Sequence, residues 1–396
     1  RRPPSPEGWT PGGPALGRET ADDVGHPADG PDIYRNFVVP LPFDEDRYVT
    51  AIELRPSAPS AVHHCLYFLD ETGKVRKLDE EDPGPGFARM GFARSRTLGG
   101  WAVGARAEHL PFDLARELPK RSDLVLSMHF HPVGRELRER SKVGLWFAKK
   151  KPERTLMTFM VPPDWGYRAG IDIPAGEAEF TVRDRFVLPC AVELVDVGGH
   201  AHYLGRRMHA LATLPDGTTQ RLFRIADWDF QWQGTYAYAE PVRLPAATAI
   251  DVEVTWDNSA ENPANPSDPP VDVRWGLEST DEMGTIYFDA VCVLESDEPL
   301  FELLAQTQAL RGNRRMLRPV LKQLRGIDAN GDGVLAAEEL PPRYLGAIDR
   351  FDLDGDGMLQ LAELERVLEA IVAGKAWDTS RSAAAGGETL RDAASE

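Results

Sequence analysis

Short stretches in which apolar and polar residues alternate recur along most of the chain and predict β-strands. The clearest is 250–256, where the two kinds of side chain alternate strictly, as in a strand with one buried face. Other β-favouring stretches, such as 61–68 and 124–130, are separated by loops rich in proline and glycine. The pattern therefore predicts a mainly β fold for the larger part of the chain.

The β-type region is too long for one ordinary core, and its length favours two tandem antiparallel β-sandwiches of jelly-roll-like type. After residue 299 the apolar spacing becomes helical, which predicts a separate small helical module. The predicted segments are an extended arm rich in proline, glycine and charge (1–31), a first sandwich (32–160), a second sandwich that begins at a proline-rich break (161–298), the helical module (299–378) and a disordered tail (379–396).

Composition argues against two kinds of partner, nucleic acid and a membrane crossed by a helix. The chain has 63 Asp and Glu against 45 Lys and Arg, a net charge of -18 that repels polyanions, so nucleic acid is not expected. No apolar run approaches the roughly 20 residues of a membrane helix, so no membrane span is expected. Three cysteines are too few for a disulfide scaffold and do not fix the compartment.

Two segments of the helical module fit the twelve-residue EF-hand loop. Each has oxygen donors at positions 1, 3 and 5, a glycine at position 6 that permits a sharp turn, and a glutamate at position 12. We expect each loop to hold calcium constitutively and to stabilise the module. The expected ligands are Asp328, Asn330, Asp332, Val334 and Glu339 in the first loop, and Asp352, Asp354, Asp356, Met358 and Glu363 in the second.

The two loops also carry a packing signal. Leu335 and Leu359 occupy matching positions after the loop glycines. This match predicts that the loops pair through a short β-bridge, with both leucines in the core between helices.

Six of the nine histidines form pairs. On a strand, the pattern His-x-His aims both imidazoles at one side, where they can hold one metal ion, as at 129/131 and 200/202. The adjacent His63 and His64 would face opposite sides of a regular strand. A site that uses both therefore requires a bulge or a strand end there.

Five segments in this order resemble the copper type II, ascorbate-dependent monooxygenases, the family of peptidylglycine α-hydroxylating monooxygenase and dopamine β-monooxygenase. They are AVHHCL (61–66), GWAVGA (100–105), LVLSMHFHP (124–132), HAHYLG (200–205) and DEMG (281–284). The similarity covers about 32–295, so the helical module and the N-terminal arm lie outside it.

The resemblance implies two copper sites. His63, His64 and His129 would hold an electron-transfer copper, and His200, His202 and Met283 would hold the copper at which dioxygen is activated. A thioether donor favours Cu(I), whereas zinc sites seldom use methionine. His131 is the spare member of its pair and is not expected to be a ligand.

The implied activity is hydroxylation of a C–H bond in a small organic or peptide-like substrate, with O2 and ascorbate or another one-electron reductant. Peptide-hydroxylating members hold the substrate carboxylate with an arginine and an asparagine. Gly198 and Thr285 occupy those positions here, which puts carboxylate recognition in doubt. Tyr287 matches a family tyrosine and could contact substrate, although it could equally be a core aromatic residue.

Two other classes remain open from the sequence. One is a non-catalytic copper- and calcium-binding module that retains the fold. The other is a cupin-like zinc or iron enzyme, although the glutamate expected shortly after His202 is absent. Because copper and calcium are more available outside the cytoplasm, we expect a periplasmic or secreted protein.

Overall fold

A computed structural model describes most of the β-type region and parts of the C-terminal module. The described residues are 9, 13–20, 24–88, 96–102, 109–110, 114–152, 154–230, 232–294, 297–298, 301, 305, 321–322, 325–340, 351–354, 356 and 358–372. The protein is mainly β, with several antiparallel sheets and a small helix near the C-terminal end of the described chain. It divides into two compact units, one of Arg1–Met157 with Gln231–Gly234 and one of Thr158–Phe230 with Thr235–Glu396.

The first unit contains two four-stranded sheets, in the orders β1-β10-β4-β7 and β3-β8-β5-β6, and the two-stranded sheet β2-β9. Its elements are β1 (Leu16–Glu19), β2 (Val24–His26), β3 (Ile33–Pro40), β4 (Arg47–Arg55), β5 (Val62–Asp70), α1 (Lys74–Glu81), β6 (Arg96–Ala102), β7 (Arg116–Leu118), β8 (Asp123–Phe130), β9 (Leu137–Glu139) and β10 (Lys142–Phe147).

One apolar core joins the two larger sheets of this unit. Val143 and Leu145 of β10 belong to the same buried cluster as Tyr67 of β5 and Leu126 of β8. Each sheet therefore buries one face against the other, the arrangement that strand alternation favours.

The described part of the segment predicted as an extended arm is paired with this unit. β1 covers the edge of β10, and β2 pairs with β9. Leu16 packs against the core and Val24 is buried in it. These two apolar residues anchor a segment whose overall composition is polar and rich in glycine and proline.

The second unit contains the sheets β11-β20-β14-β17 and β13-β18-β15-β16 and the pair β12-β19. Its elements are β11 (Met157–Val161), a 3-10 turn (Asp164–Gly166), β12 (Asp172–Ile173), β13 (Phe180–Val187), β14 (Val192–Ala201), β15 (Gly205–Thr213), β16 (Thr219–Ile225), β17 (Thr235–Leu244), β18 (Ala249–Trp256), β19 (Val273–Arg274) and β20 (Gly284–Cys292).

The predicted strand at 250–256 is confirmed as β18, with Ile250, Val252 and Val254 buried and the intervening acidic residues half-buried. Gly199 of β14 lies against Met208 of β15, so the inner faces of the two larger sheets meet there. A side chain at 199 would overlap the Met208 sulfur.

The C-terminal module contains β21 (Val334–Leu335), β22 (Leu359–Gln360) and α2 (Leu361–Val372). β21 and β22 pair antiparallel with Leu335 opposite Leu359, which confirms the predicted bridge between the two loops. Both leucines are buried in a cluster with residues of α2. The predicted tail at 379–396, and much of the helical pattern before the first loop, lie outside the described residues. No described helix has the length and apolar character that a transmembrane span needs.

Candidate metal centres

Three predicted ligands of the first unit lie together. His63 and His64 are on β5, and His129 is on the neighbouring strand β8. The Nδ1 atom of His64 is 3.1 Å from Nδ1 of His63 and 3.4 Å from Nδ1 of His129. One potential ligand atom from each of the three lies within 4.8 Å of the other two.

An irregularity in β5 brings the adjacent histidines together. The pairing of β5 with β8 shifts register between Val62 and His64. Such a bulge re-aims side chains that a regular strand would send to opposite faces. A site that uses both His63 and His64 requires a bulge or a strand end there, and this register shift provides such an irregularity.

The carboxylate of Asp32, the residue immediately before β3, contacts the first cluster through His129. Its Oδ2 atom is 2.9 Å from Nε2 of His129, and its Oδ1 atom is 2.7 Å from Nδ1 of His131. Tyr34 stacks on His129 with ring centres 4.2 Å apart. Burial lowers the pKa of His129, while Asp32 opposes that shift. Because Nε2 of His129 donates to the carboxylate, its Nδ1 lone pair faces the other two histidines.

The donor set of this cluster fits a transition-metal ion. Ring nitrogens that bind one ion at about 2.0 Å in near-tetrahedral geometry lie about 3.3 Å apart. The separations of 3.1 and 3.4 Å between the Nδ1 atoms bracket that value. Three neutral imidazoles suit copper or zinc rather than calcium or magnesium.

The second predicted set lies at one end of the β14–β20 pair. His200 and His202 have ring centres 5.2 Å apart, and both are buried. The register ends with Ala201 opposite Gly284, so His202, which follows β14, and Met283, which precedes β20, both adjoin this last pair. Met283 is also buried, with 9% of its surface exposed. One histidine pair and one thioether therefore share a strand end.

A main-chain carbonyl orients the second cluster. The Nδ1 atom of His202 lies 3.1 Å from the carbonyl oxygen of Asp281. With Nδ1–H donated to that oxygen, Nε2 of His202 is left as the ligand atom. Trp165 contacts the His200 ring edge-on at 5.0 Å, and Phe230 contacts the His202 ring at 5.9 Å. These aromatic rings limit the access of water to the cluster.

Glu282 is completely buried beside the second cluster. Its carboxylate accepts hydrogen bonds from the main-chain N–H groups of His202 (2.9 Å), Leu204 (2.6 Å) and Met283 (3.2 Å), and from the indole of Trp256 (2.8 Å). Burial raises the pKa of Glu282 to about 8, against the four N–H donors that favour its charged form. The side chain ties the backbone at His202 to the backbone at Met283.

The positions linked to substrate recognition are occupied by protein contacts. The ring of Tyr287 covers Gly198 on the paired strand, so a side chain at 198 would overlap it. The Tyr287 hydroxyl is 2.9 Å from the Thr235 hydroxyl, and burial raises the pKa of Tyr287 to about 12. Thr285 donates to the Pro162 carbonyl at 2.6 Å.

The two calcium loops share one pattern of hydrogen bonds. In each loop the glutamate at position 12 accepts main-chain N–H groups from positions 2, 3 and 9. Gly333, at position 6 of the first loop, has a φ of 83°. Gly357, its counterpart, lies outside the described residues. Carboxylate oxygens converge within 4.8 Å at Asp328, Asp332 and Glu339, and again at Asp352, Asp354 and Asp356.

The other predicted calcium ligands lie within the same loops. Asn330 donates its side-chain amide to Asp332 at 3.0 Å. The N–H groups of Val334 and Met358 each donate to the aspartate at position 5 of their loop, at 2.8 Å. These bonds fold each loop around its acidic side chains.

Comparison with known proteins identifies one part of the chain. The EF-hand family model matches residues 345–368, which contain the second loop, and this match supports calcium binding. No curated protein matches the chain.

Two of the solved structures found come from viruses, and both are of low similarity. The major capsid protein P2 of bacteriophage PM2 has a TM-score of 0.30 and 9% identity, covering 70% of this chain and 97% of that protein. The VP2 subviral particle of infectious bursal disease virus has a TM-score of 0.20 and 12% identity, covering 72% and 76%. Likeness at these scores supports no assignment.

Two supporting residues were not identified from the sequence. Asp32 lies far along the chain from the histidines it supports, and nothing in its local sequence marks it. Glu282 lies inside the Asp281–Glu282–Met283 segment, so its position next to an expected ligand was a usable signal. His26 and His109 lie outside both clusters, where they contact Phe130 and Thr50 respectively.

Proposed function

We propose that this protein is a copper-dependent monooxygenase that hydroxylates a C–H bond of a small organic or peptide-like substrate, with O2 and a one-electron reductant such as ascorbate. In this proposal the two units are tandem jelly-roll-like β-sandwiches, each with one copper site. The calcium-binding module is an addition that stabilises the C-terminal part of the chain.

The observation that carries the proposal is the convergence of His63, His64 and His129. Two ring nitrogens 3.1 Å apart can share one proton or one metal ion. A third nitrogen at 3.4 Å, supported by a buried carboxylate, favours the metal, because metal-bound histidines commonly donate their other nitrogen to such a group. An isolated histidine pair on a strand would not need this support.

The second set explains why copper is proposed rather than zinc. The soft thioether of Met283, which immediately precedes β20 at the strand end that His202 follows, would be a ligand that suits Cu(I). When bound there, copper would supply the one-electron chemistry that lets O2 react with a C–H bond. The protein's own residues would orient the ligands through Asp281 and Glu282, and Trp165 and Phe230 would exclude water from one side.

The surroundings of the second set favour a substrate without a carboxylate anchor. Tyr287 covers Gly198, and Thr285 donates its hydroxyl to a main-chain carbonyl. Neither position offers the cationic or amide donor that a carboxylate would require. We propose that the hydroxyl groups of the half-buried Tyr287 and of Thr235 contact substrate on this face.

The test is reductant-dependent oxygen consumption by the copper-loaded full chain, with a panel of amines, phenols and glycine-extended peptides. The proposal predicts that one class raises O2 uptake and yields a product heavier by one oxygen atom, and that His200→Ala abolishes both. Copper binding without turnover across the panel would favour the alternative, a non-catalytic copper- and calcium-binding module.

We also propose that the protein works in the periplasm or is secreted, where copper and calcium are more available. Fractionation of cells that express the full-length precursor tests this proposal. Recovery of the copper-loaded protein from the cytoplasm would contradict it.

A further inference from the structure

Two of the three cysteines lie side by side in the second unit. Cys190 lies two residues before β14, and Cys292 is the last residue of β20. Their Sγ atoms are 3.5 Å apart, and both side chains are fully buried. The third cysteine, Cys65, is buried on β5 of the first unit. The two cysteines are 102 residues apart in the sequence, which left open whether they pair.

The pairing of β14 with β20 brings the two thiols together. Val192 lies opposite Cys292, and the N–H of Val293 donates to the Ala191 carbonyl at 3.0 Å. The backbone on both sides of the thiol pair is thus fixed by the sheet. A disulfide requires sulfur atoms about 2.0 Å apart, so the two Sγ atoms, now 3.5 Å apart, need to approach by about 1.5 Å to form it.

We infer that Cys190 and Cys292 form a disulfide bond in the oxidised protein. The oxidant is a small-molecule disulfide such as oxidised glutathione. One cysteine thiolate attacks it and releases a glutathione thiol, and the second cysteine then attacks the mixed disulfide and releases the other. The protein loses two hydrogen atoms, and one glutathione disulfide becomes two thiols.

The bond fastens the two strands that carry the second histidine set. His200 lies on β14, His202 follows the end of that strand, and Met283 immediately precedes β20. The cross-link also closes a loop of about 100 residues, which stabilises the fold by restricting the unfolded chain. A hydrogen bond with Cys190, together with burial, raises the pKa of Cys292, so the bond forms during folding while the thiols are exposed. The inference does not depend on copper binding.

Cysteine counting on the full chain tests the inference. The protein is unfolded, refolded with oxidised glutathione and a metal chelator, then denatured and alkylated. The expected result is a mass about 2 Da below that of the reduced chain before alkylation, one alkylated cysteine at Cys65 after it, and a cross-linked peptide containing Cys190 and Cys292. Three alkylated cysteines, or a cross-link that includes Cys65, would overturn the inference.

Two further measurements separate the bond from general effects of oxidation. Cys65→Ser should still lose two hydrogen atoms and leave no cysteine to alkylate. A reductant should lower the Tm of the wild-type second unit by more than about 5 °C, and should leave the Tm of the double variant Cys190→Ser/Cys292→Ser unchanged. Equal effects of reductant on both proteins would contradict the stabilising role of the bond.

Discussion

The two histidine clusters are supported by different means. In the first, the carboxylate of Asp32 contacts the His129 ring directly at 2.9 Å. In the second, a neutral carbonyl contacts the His202 ring, and the buried carboxylate of Glu282 holds the backbone instead. A carboxyl group therefore contacts a histidine ring in the first cluster and the main chain that carries the histidine and methionine in the second.

This difference indicates what each cluster is sensitive to. A carboxylate hydrogen-bonded to a ligand ring fixes its tautomer and raises its basicity, so the first cluster should respond to changes of charge. Hydrogen bonds from the main chain to Glu282 fix the positions of His202 and Met283. Metal binding at the second cluster should therefore respond to loss of local structure. The following experiments are arranged from the largest expected effect to the smallest.

Removal of one histidine from a cluster should abolish copper binding at that cluster and leave copper at the other. His129→Ala and His200→Ala should each lower bound copper from about two equivalents to about one, because two remaining donors hold an ion far more weakly than three. Elemental analysis after dialysis against a weak chelator measures the count. His109→Ala is the control, since His109 lies outside both clusters. Two equivalents in both ligand variants would show that the clusters are not the copper sites.

Glu282→Gln should destabilise the fold by about 3 kcal/mol. The new side-chain amide would place its own N–H groups against main-chain and indole N–H groups that now donate to the Glu282 carboxyl group. Glu139→Gln is a matched control. Glu139 is equally buried and accepts from two main-chain N–H groups and two serine hydroxyls, away from the metal sets. Urea unfolding should show similar losses in the two variants, while copper titration should show weaker binding at the second cluster in Glu282→Gln alone.

Calcium should stabilise the C-terminal module without changing either histidine cluster. At a calcium concentration 100-fold above Kd, binding adds about 2.7 kcal/mol to the free energy of unfolding. Calorimetry with and without a calcium chelator measures the shift. Glu363→Gln, which removes the acidic position 12 from the second loop, should reduce it. A Tm that does not respond to calcium would contradict the stabilising role of the module.

Asp32→Asn should weaken metal binding at the first cluster by about 10–100-fold, the usual effect of removing such a support. Competition with a chromophoric chelator gives the affinity. Asp123→Asn is the control on the adjoining strand, because Asp123 is also buried but pairs with Arg76 at 2.6 Å. Equal losses of affinity in the two variants would indicate a general structural effect rather than support of His129.

Met283→Leu should have the smallest effect, about a tenfold loss of Cu(I) affinity at the second cluster, equivalent to about 1.4 kcal/mol. Cu(II) affinity should change less, because the thioether prefers the reduced ion. Met208→Leu controls for loss of a buried methionine elsewhere in the same unit. An unchanged Cu(I) affinity in Met283→Leu would show that the Met283 thioether is not a copper ligand.

Local patterns identified the clustered histidines better than the residues that support them. Alternation identified β18, and the adjacent His63 and His64 implied a bulge or a strand end at the place where β5 shifts register. Asp32 could not be predicted, because its contact with His129 depends on the pairing of β3 with β8 across almost 100 residues. Such pairing follows from packing of whole sheets, which no local pattern encodes.

The N-terminal segment shows a second limit of the sequence. Its composition predicts an extended arm, yet its described part pairs with two strands of the first unit. Leu16 and Val24 help to anchor it to the core. The average composition of the segment therefore did not reveal that single side chains within it are buried in the core.

Anomalous diffraction at the copper edge from crystals of the copper-loaded, ascorbate-reduced protein tests the central claim most directly. The account predicts one peak among the Nδ1 atoms of His63, His64 and His129, and another beside His200, His202 and the Met283 sulfur. Copper bound only at the acidic loops or on the surface, with both histidine clusters empty, would contradict it.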